Sequence, residues 1–265
     1  MKNTVVNSKN SAVEALYRML PEGTIDSLLN RRVFVTENNK KLFSLRNMGA
    51  ISRKRALTFF TKEPDTIEWI KSFKPGDQLL DIGANIGIYS LYAASNGIRT
   101  VSIEPQAMNY ACLVLNVIDN KLGSFISTYP FCSHETLTIS QLRLLEGSDW
   151  GTANSSFDRT CSSHGKEISY DNEHGSLGIP LDDLVERINF LPTHIKIDVD
   201  GNELLVLKGS KKLLSNKGVE SVLVELAEDH PEYRESINIL EEAGFYIAQK
   251  GSPYGTLANY IFKKR

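Results

Sequence analysis

From about residue 64 onward the chain alternates short apolar runs with segments of helical spacing, the pattern of a mostly parallel sheet covered by helices on both faces. Strands are predicted at Gln78–Ile82, Thr100–Glu104, Phe125–Pro130, His194–Val199 and Ser221–Leu226. Pro64 opens a helix over Asp65–Phe73 whose buried side is Ile67, Trp69, Ile70 and Phe73. Phe245–Gln249 and Leu257–Phe262, joined by the turn-rich Lys250–Gly255, predict a terminal antiparallel hairpin. Ahead of this the first ten residues are expected to be disordered, and Ala12–Leu29 predicts two short helices broken at Pro21-Glu22-Gly23. Arg32–Val35 and Lys41–Leu45 predict two strands around the turn Glu37–Lys40. The expected division is an N-terminal cap over residues 1–60 and one catalytic domain over 61–265, with no internal repeat.

Composition narrows the function classes. The 265 residues, 41% of them hydrophobic, suffice for one substantial core. Thirty basic residues stand against thirty-two acidic ones, so no global positive field favours nucleic acid or anionic lipid. No apolar run reaches the roughly 18 to 20 residues that span a bilayer, and the polar start lacks a signal-peptide core, so a cytoplasmic protein is expected. Cys112, Cys132 and Cys161 are widely spaced and outside any zinc pattern, which predicts free thiols. Ser140–Gly178 is polar and too long for a passive connection; it reads as a loop over a substrate site, or as a tolerated surface insertion.

The sharpest motif is Leu79-Leu80-Asp81-Ile82-Gly83-Ala84-Asn85-Ile86-Gly87, an apolar strand entering a glycine turn and then a helix. Gly83 permits the turn, Gly87 permits close approach of ligand or of helix to sheet, and the helix N-terminus offers free N–H groups to a carboxylate. Asp81 brings negative charge to the strand end. Ile103-Glu104-Pro105 ends the next strand in an acid able to accept both hydroxyls of a ribose. The Gly-x-Asn-x-Gly turn departs from the Gly-x-Gly-x-x-Gly spacing that serves a pyrophosphate. These residues therefore predict S-adenosylmethionine as ligand, held by Asp81, Gly83, Ala84, Asn85, Gly87, Glu104 and Pro105, with Cys132 and Ser133 where an adenine pocket would lie. An NAD-type oxidoreductase and a cofactor-binding module without turnover are the alternatives.

A second segment, His194–Gly209, carries charge where a central strand is ordinarily apolar. Alternation sets Ile195, Ile197 and Val199 on one side and Lys196, Asp198 and Asp200 on the other. Ligands of open α/β sheets bind beyond the strands' carboxyl ends, so Asp198 and Asp200 are the catalytic candidates. Either could accept a hydroxyl proton or hold a divalent metal. Lys196 would keep Asp198 ionised, and Glu203 would bond the acceptor or brace the loop. The competing reading is a structural Lys196–Asp198 ion pair with Asp200 and Glu203 capping the next helix. His134 as second base, Glu225 as an acceptor contact, His230 as turn structure and the basic cluster Arg53-Lys54-Arg55 as a phosphate contact are weaker readings.

Thr58–Pro64, Asp81–Gly87, Ile103-Glu104-Pro105, Leu181-Asp182-Asp183-Leu184 and Ile195–Glu203 together resemble the FkbM-type methyltransferases. The resemblance runs from about Thr58 to about Leu226. It implies a Rossmann-like class I methyltransferase fold, an α/β architecture with a seven-stranded, mostly parallel sheet and an antiparallel last strand. It also implies S-adenosylmethionine as donor and O-methylation of a sugar or glycan-related hydroxyl, with cofactor binding at Asp81, Gly83, Asn85, Gly87 and Glu104. Asp200 stands where many relatives look to have Glu, a shorter acid with a different reach.

Overall fold

The chain enters through a hairpin, β1 (Arg32–Glu37) and β2 (Lys40–Arg46), closed by Asn38 and Asn39. Both asparagines take positive φ (49° and 62°), as a two-residue turn matched to strand twist requires. This computed structural model describes residues 19, 21, 24 and 31–265, apart from 146, 154, 161–163, 165 and 254. The first ten residues, expected to be disordered, nearly all of the helix pair expected over Ala12–Leu29, and Cys161 lie outside the described residues; Cys112 and Cys132 are free thiols.

After the hairpin come α1 (Ala50–Leu57), α2 (Phe59–Lys62) and α3 (Pro64–Lys71), the last with proline in its first turn as expected. The alternating region follows: β3 (Gln78–Ile82), α4 (Ile88–Ser95), β4 (Arg99–Ile103), α5 (Ala107–Asp119) and β5 (Ile126–Tyr129). Four strands, β6 (Cys132–Ser133), β7 (Thr138–Leu144), β8 (Ser155–Phe157) and β9 (Asn172–Ile179), come next. The chain returns through α6 (Leu181–Arg187), β10 (His194–Ile197), α7 (Glu203–Lys208), α8 (Lys211–Ser215), β11 (Ser221–Ala227), α9 (Tyr233–Glu242), β12 (Phe245–Lys250) and β13 (Leu257–Lys264).

Seven strands form one sheet in the order β12-β13-β11-β10-β3-β4-β5, with β13 antiparallel to both neighbours. Strand order reverses between β3 and β10, which pair in parallel, so a crevice opens beyond their carboxyl ends. One sheet face buries Leu80, Ile82, Ile195, Ile197, Val222 and Val224; the other buries Leu79 and Leu223. On that second face Asp81 lies beside Lys196 in register, a polar lane inside the core.

The structure adds to the sequence reading in two places. The N-terminal hairpin shares the main core: Val35, Phe43 and Leu45 are buried in one cluster with Ile67, Trp69, Leu91 and Tyr92. Side chains of α5 satisfy its edge, for Asn116 and Asn120 accept the backbone N–H groups of Arg46 and Ser44, each at 2.8 Å. The polar stretch 140–178 holds β8 and most of β7 and β9, which belong to a second sheet ordered β6-β9-β7-β8, with loop between them. Among the described residues its core is Cys132, Leu142 and Phe157, and most positions of β7 and β9 are exposed or half-buried, so the apolar signal is thin. Among the described residues, no helix is long and apolar enough to cross a membrane.

Candidate active site

The tip of β3 is shaped by backbone contact. Gly83 has φ 76°, and a Cβ there would lie 1.8 Å from the carbonyl oxygen of Asp198, so only glycine lets the β3 and β10 tips meet this closely. A Cβ on Gly87 (φ 86°) would lie 2.3 Å from Leu113 Cδ1; that glycine serves the packing of the turn on α5. Asn85, at φ 52°, donates its backbone N–H to Glu104 Oε2 (2.8 Å), and Gln106 donates its own to Oε1 (2.9 Å). Burial pushes the Glu104 carboxyl up to about 7 despite those two donors.

Around Glu104 lies a cavity of about 330 Å³ whose wall includes Gly83, Asn85, Pro105, Cys132 and Ser133 on one side and Asp198 and Asp200 on the other. Ser133 Oγ is buried there without a hydrogen-bond partner, and burial pushes the Cys132 thiol up to about 12. Asp81, Ala84 and Gly87 are not in the wall. Asp81 sits in the lane beneath, fully buried, accepting from Ser90 Oγ (2.5 Å) and lying 4.0 Å from Lys196 Nζ. Ser102 Oγ donates to Ser90 Oγ (2.7 Å), so Asp81 terminates a hydroxyl chain between β3, α4 and β4.

Lys196 is likewise below the cavity, with Nζ 2.7 Å from Asp198 Oδ2 and 5.2 Å from the centre of the Tyr89 ring. Burial would raise the Asp198 carboxyl, but the charge and hydrogen bond of Lys196, helped by Lys62 and Arg55, hold it below its usual value. Asp200 takes φ 54° and Gly201 φ 106°, a strained bend between strand and helix. Glu203 braces that bend: its carboxylate accepts from Val199 N (3.2 Å) and Gly201 N (3.1 Å), and burial raises it to about 7. The chain thus has both the ion pair and the carboxylates in the cavity that the sequence had offered as rival readings.

The family profile for the methyltransferase FkbM domain matches residues 81–247, more than half of the chain. The chain belongs to the FkbM methyltransferase domain family. No curated protein sequence matches it. Among solved structures it is similar to a methyltransferase FkbM from Methylobacillus flagellatus KT, at 18% identity and TM-score 0.47, over 80% of this chain and 53% of that one. The chain therefore spans about half the length of that protein. It is also similar to fibrillarin from Aeropyrum pernix, solved with natively bound S-adenosyl-L-methionine (14% identity, TM-score 0.44, 72% of this chain and 67% of that one). A third is the precorrin-6y C5,15-methyltransferase from Geobacter metallireducens GS-15 (9% identity, TM-score 0.47, 77% and 90%).

This FkbM domain brings into its cavity some residues given only a weaker reading from sequence, Arg55 and Glu225, and others the sequence alone did not single out. Arg55 lines it while donating through Nε to the Gly151 carbonyl (2.7 Å), which gives one member of the basic cluster a place; Arg53 and Lys54 are exposed. Glu63 lines it, held by Lys62 Nζ at 2.6 Å. Asn85 Nδ2 and Asn109 Nδ2 both donate to the Thr152 carbonyl (2.8 and 2.9 Å), pinning the residue 149–152 turn over the cavity. Phe157 and Leu142 of the second sheet complete that cover. The motif around Glu63 was a signal that could have found it; nothing local marks Asn109 or Thr152. His134 is buried against Phe157 outside the cavity wall, and His230 Nδ1 accepts the Glu232 N–H, a turn contact. Glu225 lines the cavity from β11.

Proposed function

We propose that this chain is an S-adenosylmethionine-dependent methyltransferase acting on a hydroxyl oxygen of a sugar-like acceptor. The observation that carries the reading is one cavity holding Glu104 at one strand tip and Asp198 and Asp200 at another. Glu104 spends one hydrogen bond per oxygen on backbone N–H groups and keeps further lone pairs for ribose hydroxyls. Ser133 Oγ, buried and unbonded, fits a polar edge of a bound nucleoside. Bound there, S-adenosylmethionine supplies a methyl group on a positively charged sulfur, which a hydroxyl oxygen displaces with loss of its proton.

Asp198 is the group we assign to that proton. Lys196 keeps it ionised, so it can accept the acceptor hydroxyl's hydrogen bond and orient a lone pair for attack. A lowered carboxyl remains an adequate base, because a hydroxyl oxygen that takes on the methyl group as a third substituent becomes positively charged and far more acidic than a carboxylic acid. Asp200 would position the acceptor and Glu203 keeps the bend that aims both aspartates. A wall rich in carboxylates suits an acceptor with several hydroxyls. The test is transfer of labelled methyl to nucleotide sugars, glycans and lipid-linked saccharides. The expected product carries an alkali-stable methyl ether; label on nitrogen, or an alkali-labile ester, contradicts the acceptor class. Absence of transfer to every acceptor by protein that binds the donor would favour the non-catalytic alternative.

A further inference from the structure

Asp198 and Glu225 stand on the neighbouring strand tips of β10 and β11, and Asp200 on the bend between β10 and α7. The three offer carboxylate oxygens that all lie within 4.8 Å of one another. Such convergence is costly among like charges unless something positive is shared. Three cations near the cavity have partners of their own: Lys196 with Asp198 Oδ2 (2.7 Å), Lys62 with Glu63 (2.6 Å) and Arg55 with the Gly151 carbonyl (2.7 Å). Glu225 forms no hydrogen bond or ion pair among the described residues.

A second observation, independent of the acids, points to a ligand. Asn202, only 7% exposed, lines the same cavity, and its Oδ1 is buried with no donor to accept from. A buried amide oxygen left so is unfavourable by about 1–3 kcal/mol, and a cation removes the deficit as well as a donor would. Three carboxylates and an amide oxygen, with no histidine or thiolate among them, form the donor set of a hard divalent ion.

We propose that Asp198, Asp200, Glu225 and Asn202 hold a divalent cation of the magnesium class in the acceptor half of the cavity. Its role rests on the methyl-transfer reading and deepens it. Four protein ligands would leave such an ion two exchangeable positions, which two adjacent acceptor hydroxyls would fill, and it would acidify the hydroxyl that is methylated. The acceptor class is then a vicinal diol, with Asp198 both a ligand and the route by which the proton leaves.

Manganese(II) chloride titrated into chelator-treated full chain, without donor or acceptor, tests this by paramagnetic resonance of the free ion. One bound Mn²⁺ per chain, displaced by magnesium chloride, is expected. Glu225→Gln, which keeps the shape, and Asn202→Ala should each weaken binding about tenfold or more. Adenosylhomocysteine titrated into the same protein separates the two ideas. Nucleoside binding without Mn²⁺ binding overturns the cation site alone; Mn²⁺ binding without the nucleoside leaves the site and removes the methyl-transfer role. Equal Mn²⁺ affinity in the wild type and both variants overturns the proposed ligands.

Discussion

At the residue scale, the site is built from carboxylates that differ chiefly in their surroundings. Glu104 and Glu203 are raised from 4.5 to about 7 by burial, while Lys196 holds Asp198 down. A carboxyl raised on folding binds its proton more tightly in the folded state. Its contribution to stability is complete below 4.5 and is lost as pH rises to about 7. Glu104→Gln should therefore flatten the decline in stability across that window, read as urea midpoints at its two ends. Asp198→Asn is expected to lower turnover by about a hundredfold or more while circular dichroism and donor affinity stay near wild type. Unchanged turnover in a folded variant would return Asp198 to a purely structural ion pair. The charged strand residues made Asp198 and Asp200 legible from sequence, because a core strand does not carry such groups without a use. Alternation could not tell that Lys196 and Asp81 point into a buried lane below the cavity, since period two assigns a face and not a depth.

At the element scale, the turn after β3 is set by contact between two strand tips. Gly83→Ala would press a Cβ against the Asp198 carbonyl at a backbone angle alanine resists. It should cost about 2–3 kcal/mol or more, with donor binding lost first, as denaturation and calorimetry would show. Wild-type stability in that variant would mean that the tips can separate freely. Each strand of the large sheet was legible to within two residues at either end, because most of them are apolar and buried on both faces and the exposed β12 is marked by the turn that joins it to β13. The second sheet was not: β7 and β9 each have a single buried position, Leu142 and Gly178, so their sequence resembles a loop. Its function as cover was still inferable from its length and place in the chain.

At the scale of the whole molecule, the second sheet covers a cavity whose carboxylates come largely from the strand tips of the large sheet, and the N-terminal hairpin packs into the main core without lining that cavity. Leu45 is fully buried between hairpin and helices, so Leu45→Ala should cost about 2–5 kcal/mol in one cooperative unfolding transition. A separate early transition for the hairpin would show a detachable cap. The sequence indicated a cap but not its burial, since partners such as Asn116 and Asn120 lie some seventy positions away. The central claim is that the enclosed cavity holds S-adenosylmethionine with Glu104 on its ribose. Calorimetric titration of S-adenosylmethionine into wild type and Glu104→Gln at a pH above 7 tests it most directly. One site per chain is predicted, weakened by about 1.5–3 kcal/mol in the variant; no binding by the folded wild type, or equal binding by both, would contradict it.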